Sequence, residues 1–479
     1  MAFTSFSFLG LVTGTVLLSN VLTSASARAW ILLFASAIYL LSHVDHALQL
    51  LPLLLFLVAS YAAIEVARRR RSAALSGSWA LGIILSFLIL KRYSFVPPAV
   101  QLDYPYLLVG LSYVLFRVLH LLIDAQQGGL PARLGVRDFA LYCVSFLTFT
   151  AGPIQRHADF AAAANAPHRL QRADAEAALT RIVRGFVKVG VASAALNHVF
   201  ELLSATLLSA GASLAWPKAV ALHALCAALY TGHLYANFSG YVDIVLGVGR
   251  LIGRPLPENF DRPFTARSFL ELWSRWHMTL SAWFKTYVFN PLLKLLTTHV
   301  SSPRLAPYLA AAAFFATFLV MGMWHGASFV FIVYGLALGA GASLNKAWQV
   351  IATKRFGKQR YKAWAERPLA IYAARGLTFG YFALALTCFW VDLPQLLALT
   401  RALGAAGGLA SYALLSSAAA ASFYAFDTLI VWWGRATSWL ERAREVPALR
   451  DLARGALVLL VLAVGSFFHQ APAFVYRAF

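Results

Sequence analysis

The chain has 479 residues, 60% of them hydrophobic and only 12% charged, which excludes an ordinary soluble domain. Its net charge of +21 sits mostly in short loops between apolar runs, so it marks membrane orientation and excludes a nucleic-acid footprint. Apolar runs long enough to cross a bilayer recur from end to end. They are continuous rather than alternating, which predicts an all-α polytopic membrane protein of roughly eleven or twelve spans and argues against a barrel.

The first expected span runs from about Phe6 to Leu22. It has no basic residue before it and no clear cleavage site, so no removable signal peptide is predicted. A second covers about Trp30 to Ser42. The polar turn His43-Val44-Asp45-His46 leads to a third ending near Val66, and then comes Arg68-Arg69-Arg70-Arg71, the strongest cytoplasmic marker in the chain. A fourth starts at Trp79. Its exit loop, Phe95 to Tyr104, has Pro97, Pro98 and Asp103 but no Lys or Arg, and is expected outside. A fifth, Pro105 to Ile123, returns to a loop carrying Arg133 and Arg137. Counting back places the N-terminus outside.

Phe139 to Ile154 is apolar but short and ends in Ala151-Gly152-Pro153-Ile154, which predicts a short span or a re-entrant segment. Ala158 to Ala178 is polar and Ala-rich, an interfacial helix or loop. Spans follow at Ile182 to Leu208 and Ala219 to Leu246. From Gly253 to Val300 prolines and charges appear. Within this region Leu270, Trp273, Trp276, His277, Leu280 and Phe284 recur at three- and four-residue steps, with Glu271, Arg275 and Lys285 off that face. The pattern predicts a helix over Glu271 to Phe284 that lies at the interface or inside the protein rather than across the bilayer. An unusually long span is expected from Leu309 to Leu344, with Gly335 and Gly339 at a spacing that lets helices approach. A basic cytoplasmic loop from Lys346 to Arg367 precedes spans near Ile371 to Val391 and Leu409 to Trp433. The basic stretch Arg435 to Arg454 leads to a last span, Ala456 to Phe468, which leaves the C-terminus outside. The chain is read as one integral-membrane unit over 1–479, organised around Phe238 to Gly326.

Two histidines inside apolar surroundings are the candidate catalytic groups. His325 lies in Met323-Trp324-His325-Gly326, and an ionisable group at membrane depth is by default a functional-site hypothesis. Neutral imidazole is a suitable general base, and Gly326 would let a substrate approach the backbone. The alternative is a buried histidine bonded to a neighbouring helix carbonyl. His277 lies in Trp273-Ser274-Arg275-Trp276-His277 and either touches substrate or belongs to an interfacial aromatic and basic anchor. Asp243 is either a proton or ion ligand or the partner of an arginine such as Arg250. Cys143, Cys226 and Cys388 show neither metal nor disulfide spacing and read as packing residues. His43 and His46 lack a third ligand in view, so no metal site is expected. Neither a G-x-S-x-G elbow nor a Walker A lysine occurs.

Phe238-Ser239-Gly240-Tyr241-Val242-Asp243, Pro257-Glu258-Asn259-Phe260, Pro263-Phe264, Arg275-Trp276-His277, Leu280-Ser281, Trp283-Phe284 and Trp324-His325-Gly326 together resemble the membrane-bound O-acyltransferase family. The likeness is to its bacterial branch, which acetylates alginate or moves D-alanine to teichoic acid. Ala151-Gly152-Pro153-Ile154 and Phe474-Val475-Tyr476 also resemble that branch, while Lys285 to Phe289 is nearer the D-alanyl type in texture. The resemblance implies helices ringing a thinned centre in the inner membrane, and a tunnel from a cytoplasmic thioester to an acceptor on the far side. It makes His325 the essential histidine and His277 the second site position. Trp324, Gly326, Trp276, Arg275, Trp273, Asn259 and Ser281 become substrate- or tunnel-lining candidates. No bound cofactor is expected. The donor would be acetyl-CoA or a phosphopantetheine carrier protein, the acceptor a polysaccharide hydroxyl, and the partner a periplasmic or membrane esterase-like protein. The rival is a transporter or flippase without chemistry. A transporter should show paired broken helices in two halves, and this chain shows one irregular block.

Overall fold

Serine side chains cap several of the membrane-facing helices. Ser5 Oγ accepts the Phe8 N–H at the start of α1 (Phe6–Val21), Ser24 caps α2 (Ala25–Leu41), and Ser72 caps α4 (Ala73–Leu90), which follows α3 (Leu51–Arg70). The computed structural model describes residues 5–22, 24–101, 110–131, 133–166, 169–210, 213–300, 302, 304–436, 452, 455–456 and 458–459. Among the described residues every regular element is helical. Among these residues eight helices are long and apolar enough to cross a membrane, and α1 and α2 are shorter apolar helices. Apart from Ala456, Val458 and Leu459, the expected last span, Ala456 to Phe468, falls outside the described residues, as do the C-terminal Phe474-Val475-Tyr476, most of the basic stretch Arg435 to Arg454 and the start of the fifth expected span, Pro105 to Ile123.

The chain forms two compact units. One gathers residues 5–186 and 238–258. It holds α1 to α4, α5 (Leu111–Gln127), α6 (Val136–Val144), α7 (His157–Asn165), nearly all of α8 (Arg172–Val187) and the C-terminal part, from Phe238, of α10 (Trp216–Leu251). Gly110, at φ +103°, turns the chain into α5, where a Cβ would come 2.5 Å from the Phe149 carbonyl oxygen. Helix α6 stops at Val144, turns follow over 146–151, and the chain runs on irregularly through Gly152-Pro153. Helix α8 packs on α10 at Gly185, where a Cβ would come 2.6 Å from the Gly240 carbonyl oxygen. That approach brings Arg181 and Arg184 onto buried Asp243, at 2.9 Å and 3.0 Å. Arg250 pairs instead with Asp174 at 3.5 Å, so it is not the partner of Asp243 that proximity in sequence suggested.

The other unit gathers 187–237 and 259–436. It contains a π-helical stretch, Lys188–Ser193, that leads into α9 (Ala194–Ala210), and then α11 (Phe269–Arg275), α12 (Met278–Phe284) and a second π-helical stretch, Lys285–Phe289. Next come α13 (Asn290–His299), α14 (Ala306–Trp324), α15 (Val330–Phe356), α16 (Lys358–Ala365), α17 (Pro368–Ala385) and α18 (Leu393–Ala436), the last interrupted at Gly404. Two expectations are corrected here. The helix expected over Glu271 to Phe284 is two helices, because His277 takes a left-handed conformation (φ 44°, ψ 52°) and ends the ladder. The long span expected from Leu309 to Leu344 is the hairpin α14–α15, broken at His325 to Phe329. The hairpin is tight because its facing positions are glycines. A Cβ on Gly322 would strike the backbone of Gly335, and one on Gly339 would come 2.9 Å from the Phe315 carbonyl oxygen.

Candidate functional site

His277 is held by a short reciprocal pairing of two loops. The Asp261 N–H donates to the Arg275 carbonyl (2.9 Å) and the Met278 N–H to the Asn259 carbonyl (2.9 Å). This pairing buries Asn259 completely. Its Oδ1 accepts the Thr279 N–H (3.1 Å) and the Thr279 hydroxyl (2.9 Å), which identifies that atom as the oxygen. The same Oδ1 lies 3.3 Å from His277 Nδ1. An amide oxygen only accepts, so Nδ1 carries the proton, and Nε2 is the nitrogen with the lone pair. Burial, and next the nearby His325 imidazole, hold the His277 imidazole well below its ordinary range. The ring is therefore neutral at physiological pH.

His325 caps the C-terminus of α14, its N–H donating to the Gly322 carbonyl at 3.0 Å. Its ring is buried among aromatic faces: Trp324 (centroids 4.9 Å apart), Phe389 (5.4 Å) and Tyr334 (5.6 Å). The two histidines are thus brought within electrostatic reach of each other, although 48 positions separate them in sequence.

Trp276 is buried with its ring against Phe382 (5.0 Å), Phe260 (5.2 Å) and Tyr235 (5.9 Å). Trp273 is buried against Phe318 (5.2 Å). A cavity of about 410 Å³ lies between the α11–α12 segment and α14, walled by Trp273, Met278, Phe318 and Met321, with Ser281 and exposed Lys285 among its lining. Met278 directly follows His277, and Met321 lies one turn before His325. Neither histidine lines the cavity itself. Arg275 is bound by Glu271 and Asp261, each at 3.1 Å, so its charge is engaged by surface carboxylates rather than turned to the cavity. A Cβ on Gly326 would strike the Phe331 ring, so the room that Gly326 gives is taken by Phe331. Trp324 is buried beside His325. Sequence reasoning missed the lock of Asn259 on the His277 ring, and also Tyr334 and Phe389 around His325. The Pro257-Glu258-Asn259 motif was the available signal for the first.

Residues 46–382 match the membrane-bound O-acyltransferase family. The chain belongs to that family. A protein named probable alginate O-acetylase in Pseudomonas aeruginosa is 32% identical over 252 residues, covering 52% of this chain and 44% of that protein. A teichoic acid D-alanyltransferase of Streptococcus thermophilus is 30% identical over 330 residues, 66% of this chain and 76% of that one. A peptidoglycan O-acetyltransferase of Helicobacter pylori is 35% identical over 127 residues, 26% and 22% of the two chains. The matched stretch spans about half the length of the alginate relatives, between 43% and 50%. As a member of the family with eight long apolar helices among its described residues, the chain is a multi-pass membrane protein.

Proposed function

We propose that this protein moves a short acyl group from a cytoplasmic thioester to a hydroxyl of an envelope polymer, with His325 as general base. The observation that carries the reading is the pair of buried histidines. One is tautomer-locked by Asn259 and the other is walled by Trp324, Tyr334 and Phe389. A sugar hydroxyl is a poor nucleophile until its proton is removed. In the proposed step His325 takes that proton as the oxygen attacks the thioester carbonyl. The tetrahedral adduct then collapses, the C–S bond breaks, and the imidazolium returns the proton to the departing thiolate. General-base assistance of this kind contributes roughly 10²- to 10⁴-fold. His277 offers the Nε2 lone pair to an N–H or O–H of the bound donor. The named relatives act on alginate, teichoic acid and peptidoglycan, which supports a polymer acceptor. Acetyl transfer to an exported polysaccharide in the inner membrane is the first reading, with acetyl-CoA or a carrier-bound acetyl group as donor and an esterase-like partner outside. Carrier-bound D-alanine is the second, favoured by the longer match to the D-alanyltransferase.

The test is acyl incorporation into envelope polymer at matched protein levels, with labelled acetate and labelled D-alanine in parallel. His325→Ala should abolish incorporation while leaving expression and membrane insertion intact. His277→Ala should lower it. Near wild-type transfer by the His325→Ala protein would remove the general base and revive the transporter reading.

A further inference from the structure

The unit formed by 5–186 and 238–258 holds buried positive charge that the acyl-transfer chemistry does not use. Arg28, in the first turn of α2, is only 3% exposed. Its Nη2 donates to the Ala166 carbonyl at 2.9 Å, while Nε and Nη1 are buried and meet no acceptor. Arg254, just beyond α10, is 7% exposed, and its guanidinium lies over the Phe160 ring at 5.6 Å. Its Nη1 is also buried without an acceptor. The two side chains are near enough that Arg28, after burial itself, is the next cause lowering the Arg254 pKa to about 10. Arg117 is fully buried and gives its donors to the carbonyls of Cys143 (2.7 Å) and Thr148 (2.6 Å), which carry no charge. The carboxylate that acts on Arg254 is Asp138, and it is already bound by Arg137 at 2.8 Å. Arg137 adds its own repulsion to Arg254.

Arg117 and Arg254 line one small cavity with Tyr142, Thr148 and Gln155, against the walls of Leu32 and Phe160. Leu32 stands one turn beyond Arg28 on α2. About 30 Å³ is open there to the centres of water-sized atoms, enough for a small polyatomic anion. Neighbouring buried guanidiniums without a counter-charge are strongly disfavoured, so the site calls for a bound anion.

We propose that Arg28 and Arg254 clamp a phosphoryl group. Three guanidinium nitrogens, Nε and Nη1 of Arg28 and Nη1 of Arg254, are buried without an acceptor, and a tetrahedral oxyanion can supply an oxygen for each with enough charge to offset two cations. The loop that carries Arg133 and Arg137 is expected on the cytoplasmic side, where anionic phospholipid headgroups and soluble phosphates both meet the protein. The site is independent of the acyl-transfer reading and stands if that reading fails.

The test uses the full chain, purified and delipidated, with the thermal unfolding midpoint as readout. One arm titrates inorganic phosphate in detergent against sodium chloride of equal ionic strength. The other compares nanodiscs of phosphatidylglycerol with nanodiscs of phosphatidylcholine. A rise with phosphate beyond chloride identifies a soluble phosphoryl ligand, and a rise with phosphatidylglycerol over phosphatidylcholine identifies a lipid headgroup. Arg28→Gln and Arg254→Gln should each raise the half-saturating concentration by about tenfold or more, the size of one charge-assisted hydrogen bond. Wild-type protein that responds in neither arm, or Gln variants that keep the wild-type dose response, would overturn the proposal. Should the Gln variants elute unfolded, Arg254→Lys and the wild-type arms carry the decision.

Discussion

The side-chain oxygen of Asn259 stands 3.3 Å from Nδ1 of His277 while also accepting two hydrogen bonds from Thr279. One amide therefore fixes which nitrogen of the imidazole is protonated. Asn259→Ala should lower turnover by roughly 10- to 100-fold, the usual cost of losing an orienting partner of a functional histidine. Single-turnover kinetics with matched folding would show the loss. An unaffected rate would make Asn259 a packing residue.

The same pair sets a pH dependence. Burial and His325 lower the His277 pKa, so its neutral form persists as pH falls. The His277-dependent rate should stay flat from about pH 8 down to about pH 5, without a limb near the ordinary histidine value of about 6.5. Asn259→Asp puts a carboxylate beside the ring and should bring an acid limb back towards that value. A wild-type limb centred near 6.5 would refute the buried, neutral ring.

The α14–α15 hairpin predicts unequal costs for two glycines. Gly326→Ala meets the Phe331 ring, which a smaller side chain could relieve, whereas Gly322→Ala meets the backbone of Gly335. Gly326→Ala should lose about 1–3 kcal/mol, and Phe331→Leu should recover much of it. Gly322→Ala should lose more, with no single side-chain rescue. Thermal unfolding in detergent separates the two.

Asp243 is buried between Arg181 and Arg184, whose side chains are 24% and 58% exposed. Asp243→Asn should destabilise the protein by about 1–3 kcal/mol, as Arg184 loses its carboxylate partner and Arg181 keeps only Glu258. Arg184→Gln should cost less than Arg181→Gln, because the more exposed charge is better served by water. Equal losses would mean that the network acts through geometry rather than charge.

The loop charges predict orientation. Cysteines introduced at Arg70 and Lys362 should resist impermeant thiol reagents on intact cells, and one at Val100 should react. A freely labelled Arg70→Cys would invert the topology.

The spans were largely legible because each is a continuous apolar run, and hydropathy alone reports that. The break at His325 was not. His325-Gly326-Ala327-Ser328 interrupts neither the hydropathy nor the run length, so two antiparallel helices looked like one long span. The break at His277 was hidden for another reason. The aromatic spacing over Leu270 to Phe284 survives a left-handed residue, because both short helices bury the same kind of side chain. The histidines themselves were legible from their cost in an apolar setting. The Asn259 lock and the Arg28 and Arg254 pairing were not, since each depends on segments far apart in the chain. For Asp243 the sequence leaves open an ion ligand or an arginine partner such as Arg250, whereas helix packing at Gly185 supplies Arg181 and Arg184.

The contact between Gly322 and Gly335 also bears on how the protein works in time. Where two backbones touch, there is no side chain to repack, so one helix can neither slide nor roll on the other without collision. His325, three residues past that contact, is mounted like a tool in a fixed vice. On the acyl-transfer reading proposed above, that fixes the position of the base before any substrate arrives.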